Sequence, residues 1–259
     1  SFEKLLYSLA LFFLISLFVS GNYILNDLSD IQLVKNHPEK KYRPIAAGDI
    51  APHSAKKLSV FLLSVPGVIT YLFYEIRVFY LFILYLGLAV FYTKYLKFIN
   101  LIDAITISFL FIIRILIGGI AINIPITIYL YIFIFFMSMF IVYLKKNSIL
   151  NKKLLKNNLF HKTLKMQNNK FSFKNILFLL GGLTNLSLFF WGFALMPIIK
   201  TDRLVALIFY NLIFLYITTR LVKRSNTAKL EDFVYGVVED KILLILFPII
   251  LFLFIYFYF

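Results

Sequence analysis

The sequence predicts an all-α membrane protein, a polytopic bundle of transmembrane helices, and three observations support that prediction. Of its 259 residues 61% are hydrophobic, and they occur in long blocks. Each block is close in length to the roughly 20 apolar residues that one helical span requires. None shows the period-two alternation of a membrane β-strand. The segments between the blocks are alternately basic and nearly uncharged, as they are when every second connection is cytoplasmic.

The apolar blocks predict eight spans. The links at residues 75–77 and 122–124 are so short that each predicts a tight helical hairpin. The predicted spans lie at about 5–25, 58–74, 78–93, 102–121, 125–144, 175–196, 203–222 and 242–259.

The distribution of charge predicts the orientation of these spans. The segments at about 26–57, 94–101, 145–174 and 223–241 contain most of the lysines and arginines, so the positive-inside rule makes them cytoplasmic. We therefore expect a single domain over 1–259 in the bacterial cytoplasmic (inner) membrane. The net charge of +15 has two explanations, this topology or a surface for anionic lipid and phosphate substrates. No nucleic-acid partner is expected, and residues 147–174 are expected to be a mobile basic loop or a surface helix.

Acids are scarce, and two of them lie where the first span ends. Asp27 and Asp30 are three residues apart, so both carboxylates share one helix face. Mg²⁺ typically binds one or two carboxylates together with phosphates and water, and Lys40 and Arg43 nearby could bind the phosphates. The pattern predicts a Mg²⁺–diphosphate site. The alternatives are acids that are solvated at a helix end and bases that only set the topology.

The residues in this stretch resemble a known family. NDLSD (26–30) followed by RPIAAG (43–48) resembles the first aspartate-rich motif of the UbiA superfamily of membrane prenyltransferases. The longer segment HPEKKYRPIAAG (37–48) is similar to the branch that makes polyprenyl-phosphate phosphoribose, which includes the decaprenyl-phosphate phosphoribosyltransferases. A second block, 92–125, matches that branch at Tyr92, Lys97, Asp103 and Arg114 among others. Later in the chain, Arg220 and Asp240 fit more loosely.

The resemblance implies a fold and a chemistry. The fold would have nine spans, the first lying ahead of Ser1, around a cavity that cytoplasmic loops cap. The cofactor would be Mg²⁺, held by Asp27 and Asp30, with Asp103 as a third catalytic acid. Substrate-binding residues would be Asn26, Lys40, Arg43, Tyr92, Lys97 and Arg114.

Two reactions are compatible with the resemblance. The first transfers 5-phosphoribosyl from phosphoribosyl diphosphate to a membrane-bound polyprenyl phosphate, and the segment around His37 and Lys40 favours it. The second transfers a prenyl group from a prenyl diphosphate to an aromatic or other lipophilic acceptor.

Several single residues leave alternatives open. Val34 stands where the family has a third acid, and Ile149 where it has another, so a non-catalytic family member is also possible. Asp103 could be a cap at a helix N-terminus. Arg114 lies inside a span, where a charge is costly unless it faces a cavity or a partner or extends towards the membrane surface. The absence of cysteine excludes disulfides and thiolate metal ligands.

Overall fold

The structure, a computed structural model, describes residues 2–35, 40–156, 163–194 and 204–258. Every regular element in these ranges is helical, which confirms the predicted all-α class. Short 3-10 turns lie at Lys40–Tyr42 and Leu96–Phe98. The α-helices are α1 Phe2–Ser29, α2 Ile31–Lys35, α3 Pro44–Ala47, α4 Pro52–Phe73, α5 Ile76–Lys94, α6 Asn100–Ala121, α7 Ile128–Lys156, α8 Thr163–Ala194, α9 Leu204–Asn226, α10 Phe233–Val238 and α11 Lys241–Tyr258.

Within the described residues, 7 helices are long and apolar enough to cross a membrane, and they coincide with the first seven predicted spans. The eighth predicted span falls on α11, whose apolar stretch Lys241–Tyr256 is shorter. The chain is therefore an integral membrane protein with a polytopic helical fold, and the span ahead of Ser1 stays a prediction. The seven helices are α1 and α4 to α9.

Several helices extend well beyond the apolar blocks that predicted them. The helix α1 continues to Ser29, α7 continues to Lys156, and α8 begins at Thr163. An apolar block marks the residues that can face lipid, whereas lysine, glutamine and leucine can continue the same helix into water. Much of the predicted loop regions 26–57 and 145–174 is consequently helical, and residues 157–162 lie outside the described part.

The contacts divide the chain into two compact units, Ser1–Ile126 and Thr127–Phe259. In the first unit α1 packs closely along α4, and Gly21 is the point of nearest approach. The Ser59 hydroxyl donates to the Gly21 carbonyl oxygen at 2.8 Å, and a Cβ on Gly21 would lie 2.9 Å from Leu63 Cγ. Small residues allow membrane helices to pack at this separation.

The core of the first unit lies between α1, α5 and α6. The Phe18 and Phe82 rings meet edge to face with their centroids 4.7 Å apart, and Tyr85 joins them. This packing fixes α1, α5 and α6 against one another, and the predicted site residues lie towards one end of these helices. The buried core residues are Leu11, Phe18, Val78, Phe82, Tyr85, Ala89, Leu110, Ile113 and Ile117.

The second unit joins α7 to α9 through a buried polar network. Asn147 Nδ2 donates to Ser225 Oγ at 2.8 Å and to Asn226 Oδ1 at 3.0 Å. The Ser225 hydroxyl donates in turn to the Leu144 carbonyl oxygen at 2.8 Å. Because these buried groups satisfy one another, the network secures the end of α9 to α7 without an uncompensated polar atom among them.

Candidate active site

Asp27 and Asp30 lie about one turn apart at the end of α1, and each meets a cation from another segment. Arg43 Nη1 donates to Asp27 Oδ1 at 2.5 Å. Arg43 is the N-cap of α3, which begins with Pro44. Lys97, in the 3-10 turn after α5, pairs with Asp30 Oδ1. Two carboxylates and two cations from three segments therefore lie at one end of the first unit.

Neighbouring polar residues of α5 and α6 extend this cluster. Thr93 Oγ1 donates to Asn26 Oδ1 at 3.3 Å. The Tyr92 phenol is within electrostatic reach of Asp103 and Asp30. The structure thus brings together Asn26, Asp27, Asp30, Arg43, Tyr92, Lys97 and Asp103.

Asp103 lies in the first turn of α6 and is buried, with 7% of its surface exposed. Its backbone amide donates to the Ile99 carbonyl oxygen at 2.9 Å, so it is a helical residue and not the N-cap, which is Ile99. The positive end of the α6 dipole favours an anion here. The rigid start of the helix fixes this carboxylate within electrostatic reach of the Tyr92 phenol.

Arg114 lies apart from this cluster. It is 11 residues beyond Asp103 on α6, which at 1.5 Å per residue is about 16 Å along the helix axis. Arg114 Nη2 donates to the Tyr85 hydroxyl at 2.7 Å, and the guanidinium lies over the Phe111 ring at 4.6 Å. Its Nε is buried with no hydrogen-bond partner among the described residues. The charge is therefore held by partners inside the unit.

Two further positions that the sequence singled out are Lys40 and Val34. Lys40 begins a 3-10 turn, but its side chain lies outside the described residues, as do His37, Pro38 and Glu39. Val34, at the family's third acid position, is 8% exposed. Because this position is buried, an unpaired carboxylate there would be costly.

Two further residues in this region, Thr93 and Tyr85, are not among those that the sequence motifs predict. Both could have been found, because Thr93 directly follows Tyr92, and Tyr85 lies two helical turns before it on the same face of α5. A tyrosine on that face is a natural partner for a charge inside the neighbouring span.

A second charged cluster lies in the second unit, at the junction of α9 and α11. Arg220 Nε donates to Asp240 Oδ2 at 2.8 Å, and Arg224 Nη1 donates to the same atom at 3.2 Å. Asp240 Oδ1 accepts from the amides of Ile242 and Leu243. Burial acts to raise the pKa of Asp240, but these hydrogen bonds and the Arg220 charge hold the pKa below its ordinary value of 3.8. The cluster joins Arg220 and Asp240, the two residues with the looser family match.

The acidic cluster of the first unit can accommodate a divalent metal. No group of three or more histidine, cysteine or acidic side chains forms a ready metal site in the described residues. Asp27 and Asp30 nonetheless offer the hard oxygen ligands that Mg²⁺ prefers, and phosphate and water commonly complete its octahedron. The donor set fits Mg²⁺ arriving with a phosphorylated substrate better than a permanently bound metal.

Comparison with known proteins identifies the family of the chain. The profile of the UbiA prenyltransferase family matches residues 1–238. The chain belongs to the UbiA prenyltransferase family. Members of this family of membrane enzymes are generally Mg²⁺-dependent.

Within the UbiA family, the chain is similar to several curated proteins. It is 29% identical to the decaprenyl-phosphate phosphoribosyltransferase of Mycobacterium tuberculosis over 140 residues. These residues are 54% of this chain and 46% of that protein. The enzyme of the same name from Mycolicibacterium smegmatis is 29% identical over 130 residues, 50% of this chain and 41% of its own. The nodulation protein NoeC of Azorhizobium caulinodans is 33% identical over 106 residues, 41% of this chain and 34% of its own. The matches therefore span less than half the length of these relatives.

Proposed function

We propose that this UbiA-family chain transfers 5-phosphoribosyl from phosphoribosyl diphosphate to a polyprenyl phosphate in a Mg²⁺-dependent reaction. One observation carries the proposal: each of the paired carboxylates Asp27 and Asp30 is matched by a cation from another segment. Such a cluster can exchange its internal ion pairs for a bound diphosphate and its metal. The similarity to decaprenyl-phosphate phosphoribosyltransferases supports the choice of donor and acceptor.

Each residue of the cluster has a proposed role. Asp27 and Asp30 would hold Mg²⁺, which when bound would neutralise charge on the leaving diphosphate. Arg43 and Lys97, released from their aspartate partners, would contact the phosphate oxygens. Asn26, held by Thr93, and Tyr92 would fix the orientation of the donor, and Asp103 would hold the ribose. Lys40 remains a proposed phosphate contact on the sequence pattern alone.

The proposed chemical step needs no side-chain nucleophile. An oxygen of the polyprenyl phosphate attacks C1 of the ribose, the bond from C1 to the diphosphate oxygen breaks, and its electron pair leaves with the diphosphate. The chain contributes orientation of a water-soluble and a lipid substrate, which converts a bimolecular encounter into a positioned reaction. Fixed cations at the leaving group supply the electrostatic part. The donor would enter from the cytoplasm, because the cluster lies among the basic segments.

Prenyl transfer is the second candidate, because the family profile that matches residues 1–238 is that of prenyltransferases. In that case the same aspartates would bind the diphosphate of a prenyl donor, and the acceptor would be an aromatic or other lipophilic molecule. The two candidates share the metal–diphosphate site and differ in which carbon is attacked.

Two transfer assays distinguish these functions, each with the purified protein in lipid nanodiscs and Mg²⁺. One reaction contains labelled phosphoribosyl diphosphate and polyprenyl phosphate, and the other contains labelled prenyl diphosphate and an aromatic acceptor. We expect label in the lipid product only in the first. Transfer only in the second would overturn the phosphoribosyl assignment, and neither transfer nor Mg²⁺-dependent diphosphate binding would identify a non-catalytic member of the family.

A further inference from the structure

The segment between α9 and α11 contains a short helix, α10, whose outer side is apolar. Val234 is 71% exposed, Tyr235 70% and Val238 55%. Exposed apolar side chains are expected on a span, where lipid covers them, but here they lie on a connection outside the seven candidate spans. A cluster of this kind marks a contact with a partner or a membrane.

The opposite side of α10 is fixed to the protein. A Cβ on Gly236 would lie 2.3 Å from the Lys229 carbonyl oxygen and 2.7 Å from Leu230 Cδ2, so the two backbones are in direct contact. The Asp232 side chain accepts from the Tyr235 amide at 3.1 Å and caps the helix. Because only glycine allows this approach, α10 cannot turn its apolar side towards the protein.

Ion pairs hold both ends of the segment. Lys152 Nζ pairs with Glu231 at 2.5 Å before the helix, and Arg224 Nη2 pairs with Glu239 at 2.6 Å after it. The exposed apolar side is therefore a stable feature with a fixed orientation, and its exposure does not result from a loosely attached loop.

The apolar surface of α10 continues into that of α11. A groove of about 390 Å³ between the two helices has a purely apolar lining. Beyond it, α11 exposes Ile245 and Ile249. Because α11 is an apolar helix of a membrane protein, we expect lipid to cover it, and the groove joins its apolar surface to that of α10. The charged Glu239 and Lys241 are exposed between the two helices. The groove is lined by Phe233, Val234, Val237, Val238, Leu244, Phe247 and Pro248.

Charged residues flank the apolar side chains of α10. Lys229 and Lys241 are exposed before and after α10, and so are the acids Asp232 and Glu239 at its two ends. Lysine stems lie along apolar surface while the ammonium groups remain in water or among lipid headgroups. Apolar side chains with lysines on both flanks are typical of a segment at the boundary between headgroups and acyl chains.

We propose that α10 is a membrane-interface anchor, in which Val234, Tyr235 and Val238 insert into the headgroup–acyl boundary of the bilayer. The occupant of the apolar groove is lipid acyl chain. The anchor holds the end of α9 and the start of α11 at a fixed depth, and it is independent of the reaction that the chain catalyses.

The experiment uses the cysteine-free chain as its own background. Val234→Cys and Val238→Cys each receive a nitroxide spin label, and Thr227→Cys, exposed in the same connection, is the matched control. In lipid nanodiscs, collisions with oxygen report lipid, and collisions with a water-soluble nickel chelate report water. We expect the ratio of oxygen to nickel collisions at positions 234 and 238 to exceed that at 227 severalfold.

Two outcomes would overturn the anchor. Nickel accessibility at 234 equal to that at 227 would mean that α10 faces water. Low accessibility to both reagents, with an immobilised spectrum, would mean that protein covers the helix. Because the variants replace exposed side chains, thermal unfolding midpoints equal to that of the unmodified protein serve as the check on folding.

Discussion

At the scale of single residues, the Arg43–Asp27 ion pair of the candidate site is a poor contributor to stability. The side chains of Arg43 and Asp27 are 44% and 28% exposed. Pairs as exposed as this contribute roughly 0–1 kcal/mol to folding. Their placement is better explained by what the charges can bind than by what they hold together.

The first prediction follows from this contrast between a role in binding and a role in stability. Asp27→Asn or Asp30→Asn should lower the rate of transfer at least about 100-fold, since each removes a charge that the bound diphosphate and metal require. The unfolding midpoint of Asp27→Asn should change little, because the free energy at stake in that exposed pair is about 1 kcal/mol or less. Mg²⁺-dependent binding of diphosphate, measured by calorimetry in detergent, should be lost together with activity.

Asp49→Asn is the matched control, because Asp49 is an exposed acid in the same connecting region. It should leave both activity and diphosphate binding unchanged. Full activity in both Asp27→Asn and Asp30→Asn would contradict the metal–diphosphate site.

Residue types and spacing predicted much of the cluster, and physical context explains the rest. Asp27 and Asp30 are recognisable because acids are scarce and these two share one helix face, whereas Lys97 was implied by the family resemblance. The partners of neutral residues, such as Thr93 for Asn26, depend on how α1 packs against α5. No sequence pattern encodes that packing directly.

At the scale of helices, α1 and α4 depend on one glycine. A Cβ at Gly21 would meet Leu63 Cγ at 2.9 Å and the Ser59 carbonyl oxygen at 3.1 Å. Gly21→Ala should therefore destabilise by about 1–3 kcal/mol, the usual cost of overpacking. This exceeds the gain of about 1 kcal/mol that alanine brings to a helix interior. A lower thermal unfolding midpoint in detergent is the expected result.

Gly87→Ala provides the comparison, because Gly87 lies within α5 and a Cβ there meets nothing within 4 Å. That variant should be neutral or slightly more stable. Equal losses in both variants would show that glycine acts through the backbone and not through the α1–α4 contact.

The sequence predicts the membrane spans of these helices better than it predicts their ends, and the reason is physical. Hydrophobic blocks located the seven candidate spans because the cost of exposing polar groups to lipid dominates their composition. They did not locate the helix ends at Lys156 and Thr163, since helix continuation in water depends on propensities of only fractions of a kcal/mol per residue.

The junction of α9 and α11 gives a prediction that depends on pH. Asp240 is buried against Arg220 and Arg224. Removing one partner of a buried pair typically costs about 3–5 kcal/mol, and the partial exposure of Arg220 places the cost of Asp240→Asn at the lower end. Because folding holds the pKa below 3.8, this stabilisation is complete above that pH and is lost as the pH falls through the folded-state pKa.

Unfolding midpoints of the protein and of Asp240→Asn should therefore differ most at neutral pH and converge below pH 3.8. The difference between the two proteins is the measured quantity, because every other acid titrates in both. A difference in unfolding midpoint that is constant with pH would show that the charge of Asp240 contributes nothing to stability.

At the scale of the whole molecule, the excess of basic residues sets the side from which a soluble substrate can enter. The segment between α1 and α4 carries four basic residues, and two more lie in the first two turns of α4. The link between α4 and α5 carries none, and only Arg77 follows, in the first turn of α5 beside Glu75. Lysine and arginine flanking a span resist translocation across the membrane, whereas acids contribute little to the orientation of the span. The basic residues of the segment are Lys35, Lys40, Lys41 and Arg43, and those at the start of α4 are Lys56 and Lys57.

Two single-cysteine variants of the cysteine-free chain test this sidedness, Asp49→Cys in the basic segment and Glu75→Cys in the opposite link. With a membrane-impermeant maleimide, we expect Glu75→Cys to react in intact cells and Asp49→Cys to react only after permeabilisation. Both positions replace an exposed acid, so intrinsic reactivity is matched. Labelling of Asp49→Cys in intact cells would put Asp27 and Arg43 on the outer side, where a cytoplasmic phosphoribosyl diphosphate could not reach them, and the proposed reaction would then require a different donor.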